Sequence, residues 1–155
     1  MNHIYEVSSA QLDELVAFLR ENWPEVSELP LGIREKKERS YWEKVHCEGR
    51  IFFYRGEDDS IIALISLSQK EAVVTIDLLF IKSKFKNQDM VMTMLSFAER
   101  VAVNWSGEYI NLTFSGREEL DLLFPKFHGL GYSCQCPINQ KGNVLIEKRL
   151  NSETR

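Results

Sequence analysis

The chain has 155 residues, one domain's worth at roughly 100–200 residues per domain. Hydrophobic residues make up 44%, charged residues 27% and aromatic residues 11%, an ordinary globular composition that excludes a fibrous, collagen-like or wholly disordered chain. Lys plus Arg number 19 against 23 Asp plus Glu, a formal charge of -4, and this acidic balance argues against a general nucleic-acid binder, which needs clustered positive charge.

Residues 3–7 (HIYEV) read as a short strand. Ser8 followed by Gln11 has the spacing of a capping box, in which each side chain satisfies an unpaired backbone donor at a helix start. Leu12, Leu15, Val16 and Leu19 then recur at helical spacing, and Trp23-Pro24 ends the pattern because the residue before proline disfavours helical angles. After a loop over 24–33, a second helix is predicted over 34–46, with Glu35 four residues before Arg39 and an apolar edge of Tyr41, Trp42 and Val45.

Three strands are predicted next, over 50–55, 60–69 and 72–82, joined by the turns GEDD and QKE as an antiparallel meander. Val91, Met94, Leu95, Ala98, Val101, Ala102 and Trp105 trace the clearest helical stripe in the chain, which Ser106-Gly107 stops. A strand over 109–114 completes a strand-helix-strand unit, the crossover that makes its two strands parallel. Ser115 and Glu118 form another capping box, opening a helix that runs to His128 and ends at Gly129-Leu130-Gly131. Strands over 132–137 and 143–150, joined by NQKGN, close the domain, and residues 151–155 read as a frayed tail. The order β-α-α-β-β-β-α-β-α-β-β describes one α/β domain over residues 1–150, with a mixed, mostly antiparallel sheet of seven predicted strands and helices on both faces.

No run reaches the ~18 apolar residues of a membrane helix, and the opening MNHIYEVSSAQLDE has neither the basic region nor the apolar stretch of a signal peptide. A cytoplasmic protein without a membrane partner is therefore expected, with Cys47, Cys134 and Cys136 as free thiols. His128, Cys134 and Cys136 lack a fourth ligand and a zinc-type spacing, so no metal site is expected.

Two segments add a likeness to this pattern: LLFIKSKFKNQDMVMTMLSFAERVA (78–102) and LDLLFPKFHGLGY (120–132). With the order of elements, they resemble the GNAT superfamily of acyl-CoA-dependent N-acyltransferases over nearly the whole chain. The first segment is similar to the family's cofactor motif, in which a strand runs through a basic, glycine-bearing turn into a helix whose N-terminus holds the coenzyme A diphosphate. The resemblance lays that loop on Lys86, Asn87, Gln88, Asp89, Met90 and Val91: the basic position is kept, and Asp89 and Val91 replace the two small residues. A carboxylate at Asp89 would compete with phosphates for the same donors, or would be a good helix cap in a protein that does not bind the cofactor; Lys82, Lys84 and Lys86 are the cations that would offset it.

The resemblance further implies acetyl-CoA as acyl donor and direct attack of an amine on its thioester. It places the backbone N–H groups of Phe80 and Ile81 on the pantetheine arm and acyl carbonyl. Asp77, an acid within an apolar strand on one face with Thr75 and Leu79, is the candidate base, its pKa raised by burial; an Asp paired at a sheet edge is the structural alternative. The family's thiolate-protonating tyrosine falls at Phe127, leaving His128 and Tyr132 as candidate donors. Trp23, Tyr41 and Trp42 would border the acceptor, an amine of a small molecule or protein, or else belong to the core. The resemblance allows a homodimer. Asp89, Val91 and Phe127 also leave a second function open, a GNAT-like fold that binds a metabolite or protein without catalysis.

Overall fold

A computed structural model describes residues 4–22, 39–85, 88–114, 125, 127–135 and 144–150. Strand β1 (Ile4–Glu6) leads through a 3-10 turn (Ser9–Gln11) into α1 (Leu12–Glu21). At this entry Gln11 Oε1 accepts the Ser8 N–H at 2.9 Å, one half of the capping box expected there. Leu12, Leu15, Val16, Phe18 and Leu19 form the buried stripe of α1. Asn22 ends it, donating its side-chain amide to the Phe18 carbonyl at 2.8 Å. Helix α2 (Arg39–Glu48) is tied to the end of β1 by His46 Nε2, 2.9 Å from the Val7 carbonyl.

The meander follows as β2 (Gly49–Arg55), β3 (Ile61–Lys70) and β4 (Val73–Ile81). Helix α3 (Gln88–Asn104) crosses to β5 (Tyr109–Phe114), and β6 (Ser133–Gln135) and β7 (Val144–Arg149) complete a seven-stranded sheet in the order β1-β2-β3-β4-β5-β7-β6. Only the β4/β5 pair is parallel, as a strand-helix-strand crossover requires. At the end of α3 the left-handed angle is carried by Ser106 (φ 61°). Gly107 serves a different need: a Cβ there would stand 2.9 Å from a methyl of Val74. No helix among the described residues is long and apolar enough to cross a membrane. The capping box at Ser115 and the turn NQKGN lie outside the described residues, although 127–129 are helical as expected.

Two apolar clusters sandwich the sheet. One packs α3, through Val91, Met94, Leu95, Ala98 and Ala102, against Ala63, Ile65, Leu67, Val74, Ile76, Ile110 and Ile146. The other packs α1 and Trp42 of α2 against Ile51, Phe53, Leu64, Leu78 and Phe80. Burial on both faces explains why β3 and β4 read as nearly continuous apolar runs rather than alternating ones.

Candidate functional site

Strands β4 and β5 pair at only three rungs, Val73/Tyr109, Val74/Ile110 and Thr75/Asn111. Beyond Thr75, β4 runs on to Ile81 paired with β3 alone, while β5 runs on to Phe114 paired with β7 alone. The two strands therefore part, and the facing edge of β4 carries peptide groups without a strand partner, available to a ligand. The Lys82 N–H donates to the Ile62 carbonyl at 3.0 Å. Backbone groups alternate in direction along a strand, so the Phe80 N–H also turns toward β3, and those of Leu79 and Ile81 turn into the gap. This corrects the expectation for Phe80. Its ring is committed as well, 2% exposed and edge-on to Phe18 at 5.6 Å.

Beyond the far end of β4, α3 begins at Gln88. The N–H groups of a helix's first turn have no partner within it, and here they include those of Gln88, Asp89 and Met90. Asp89 sits inside the first turn, exposed, rather than capping the helix. Its charge thus lies beside the donors instead of saturating them with its own hydrogen bonds. Val91 fills the core at 7% exposure and Met90 packs against that core, so neither side chain is offered to a ligand. Lys82 leans away, its Nζ 6.0 Å from the Phe18 ring centre on the α1 side of the sheet; it does not join a cation cluster at the start of α3. Lys84 is exposed beside Phe85, while Lys86 and Asn87 lie outside the described residues.

The register of β3 against β4 steps from Ser66/Leu78 to Leu67/Ile76, leaving Asp77 as the extra residue of a β-bulge. The bulge reverses the alternation of β4. Val74 and Ile76 face α3, whereas Leu78 and Phe80 face α1 and α2. Leu79 therefore packs on the α3 side, and the expected single face of Thr75, Asp77 and Leu79 does not exist. Asp77 lies on the opposite face, half-buried, where the Ser68 hydroxyl donates to its carboxylate. Burial pushes its pKa up, and the Ser68 hydrogen bond opposes that shift. Ser66, on the same face, is 1% exposed and its hydroxyl has no hydrogen-bond partner. Ser68 does not stand out in the sequence, because only the bulge brings it beside Asp77.

Tyr132 is not placed to give up a proton to a substrate. It is 1% exposed, its hydroxyl donates to Glu99 Oε2 at 3.0 Å, and Lys148 donates to the other oxygen of Glu99 at 2.8 Å. Burial first, then the Glu99 charge, push the phenol pKa well above its ordinary value. Tyr132 thus joins α3 to β7 as a structural post, with Phe127 edge-on at 5.4 Å. His128 is exposed at the end of the last helical turn, where its carbonyl accepts the Gly131 N–H at 3.0 Å. Trp42 is 1% exposed within the α1/α2 core, which removes it from the acceptor-facing set. Trp23 and the side chain of Tyr41 lie outside the described residues. A cleft of about 810 Å³ along the outer side of α3, lined by Ser96, Glu99, Arg100 and Lys148 among others, shares no residue with the β4/β5 gap.

No protein-family model and no characterised protein sequence matches the chain. Solved structures do. The PaiA N-acetyltransferase from Thermoplasma acidophilum in complex with coenzyme A superposes with a TM-score of 0.74 at 17% identity, over 94% of this chain and 97% of that one. The spermidine N-acetyltransferase from Vibrio cholerae in complex with CoA and spermine gives 0.72 at 11% identity, over 98% and 97%. The aminoglycoside 6'-N-acetyltransferase from Enterococcus faecium gives 0.71 at 15% identity, over 96% and 97%. The chain has the GNAT fold.

Proposed function

We propose that this chain is an acetyl-CoA-dependent N-acyltransferase that acylates an amine by direct attack. The observation that carries the reading is the parting of β4 from β5 after Thr75, with the Leu79 and Ile81 amides turned into the gap and α3 starting beyond the end of β4 that borders it. The residues fit the cofactor: extended peptide N–H groups suit a pantetheine arm, and a helix N-terminus suits a diphosphate. The fold neighbours solved with CoA support the same reading.

Acetyl-CoA would supply an acyl thioester whose C–S bond breaks as the C–N bond of the amide forms. The Ile81 or Leu79 N–H would polarise the acyl carbonyl. Asp77, directly or through one water, takes the proton the amine sheds, and Ser68 fixes the orientation of its carboxylate. With Phe127 at the family's tyrosine position, the departing thiolate takes its proton from solvent. A second reading, binding without catalysis, is favoured by that same Phe127, which is 2% exposed and chemically inert.

Calorimetric titration separates the two. The transferase should bind acetyl-CoA at micromolar concentration, and no heat at millimolar ligand would reject it. Asp77→Asn should then lower turnover by ~10²-fold with cofactor affinity unchanged. Because burial raises the Asp77 pKa, wild-type rates should climb with pH through that raised value as the carboxylate deprotonates, and the variant should lose this limb. A limb that persists in Asp77→Asn removes Asp77 from the reaction. Asp89→Asn takes one negative charge from the first turn of α3 without a change of shape. It should tighten cofactor binding by about 0.3–1 kcal/mol, more at low salt; weaker binding would show that the carboxylate does not face the diphosphate.

A further inference from the structure

The cleft beside α3 has no part in the reaction above. Met92, Ser96, Glu99 and Val103 line it at helical spacing, one face of α3 about 16 Å long. Lys148 on β7 and Leu150 just past it form the opposite wall. Arg149 lies between them and, by the alternation of a strand, turns its side chain to the other face of the sheet, so that its backbone borders the cleft. Met92 is 37% exposed and Val103 half-buried, and neither belongs to the two apolar clusters of the core. At about 810 Å³ the cleft has the size of a small-molecule site.

Its polar wall is fixed before any ligand arrives. The stem of Lys148 lies along Gly131, where a Cβ would come 3.3 Å from it. The Lys148 ammonium donates to Glu99 Oε1 at 2.8 Å and stands 5.8 Å from the Tyr132 ring centre. The other Glu99 oxygen accepts the Tyr132 hydroxyl at 3.0 Å. Glu99 and Lys148 thus neutralise each other, while the ammonium, which carries three N–H groups, keeps donors to spare. Arg100, the next residue of α3, also lines the cleft and is exposed, with no ion pair among the described residues. One positive charge is therefore left over here, in a chain of formal charge -4, beside apolar side chains that the core does not use.

We propose that this cleft binds a small carboxylic acid. Arg100 and the spare donors of Lys148 grip its carboxylate, and its hydrocarbon body lies along Met92, Val103 and Leu150. A guanidinium forks onto a carboxylate through two parallel hydrogen bonds, and a single surplus charge suits a monoanion. The apolar wall favours an acid with a hydrocarbon body over a bare inorganic anion. The site shares no residue with the β4/β5 gap and stands whether or not the acyl-transfer reading does.

Octanoate, octylamine, octanol and inorganic phosphate are titrated calorimetrically into wild-type protein and Arg100→Gln, with a melting curve to confirm the fold of the variant. Octanoate should bind at one site, about tenfold more tightly than octanol, and octylamine and phosphate should bind more weakly than octanoate. Arg100→Gln should bring octanoate down to the affinity of octanol. Coenzyme A at millimolar concentration should leave octanoate binding unchanged. No heat with millimolar octanoate, phosphate or octylamine binding as tightly, a preference over octanol that survives Arg100→Gln, or displacement of octanoate by coenzyme A overturns the inference.

Discussion

Replacing Trp42 with alanine should destabilise the fold by about 3–5 kcal/mol. The indole is 1% exposed and sits where α2 meets Leu15 and Leu19 of α1 and Ile51 and Phe53 of β2. Its removal takes away the apolar surface it buries and leaves a cavity lined by side chains from two helices and the sheet, too rigid to collapse fully. Among the described side chains of α2, Trp42 and Val45 are the ones that reach this core. Set against the ~5–15 kcal/mol total of a typical domain, the loss brings the protein close to unfolding at physiological temperature. Urea denaturation at 25 °C reads it directly. Trp42→Phe keeps most of the ring and should lose far less, leaving a folded protein for ligand work. A residue bordering the acceptor would behave the other way: stability unchanged in the alanine variant and acceptor affinity altered in the phenylalanine variant.

That contrast marks where the sequence stops being readable. The apolar edge Tyr41-Trp42-Val45 shows that a face of α2 is buried, but not what buries it; the answer depends on α1 arriving over β2, a contact some thirty residues away in sequence. The meander, the α3 stripe and the parallel crossover were legible, because each depends on short-range periodicity and turn chemistry that survive without tertiary context. Near the site the legible signal was an acid in an apolar strand, Asp77. What escaped was the bulge that makes Asp77 distinctive, since one extra residue in β4 leaves no mark on composition and appears only when β3 is laid beside it.

The bulge also explains why a period of two does not carry through to Leu79, and the Lys82 amide bond to β3 explains why the Phe80 amide turns away from the gap. The role of Tyr132 is hidden for a related reason: Glu99, which accepts its hydroxyl, lies on α3, thirty-three positions earlier. The polar residues on this sheet are brought together by register, so they become visible rung by rung. Ser68 beside Asp77 and Asn111 beside Glu147 are two such pairs, each joining strands that the sequence cannot align by itself.

Gly49→Ala tests that dependence on register, and the expected loss is at the top of the ~1–3 kcal/mol typical of overpacking. A methyl at Gly49 would meet the carbonyl oxygen of Leu67, with the Ser68 Cα at 3.4 Å. Both are backbone atoms fixed in the β2/β3 ladder, so no side chain can rotate away and the strands themselves must separate. The rung affected pairs Gly49 with Ser68, and Ser68 carries the hydroxyl that donates to Asp77. Because that hydrogen bond lowers the Asp77 pKa while burial raises it, moving Ser68 away should push the pKa higher and shift the rising limb of the pH–rate profile to more alkaline values. Gly129→Ala is the matched control, since a Cβ there meets nothing within 4 Å; it should leave stability unchanged or raise it by up to about 1 kcal/mol. If Gly49→Ala unfolds at the same urea concentration as the Gly129 variant, the close approach of β2 to β3 at this rung is wrong. A Gly49→Ala protein that is destabilised yet keeps its pH limb in place would show that Ser68 does not set the titration of Asp77.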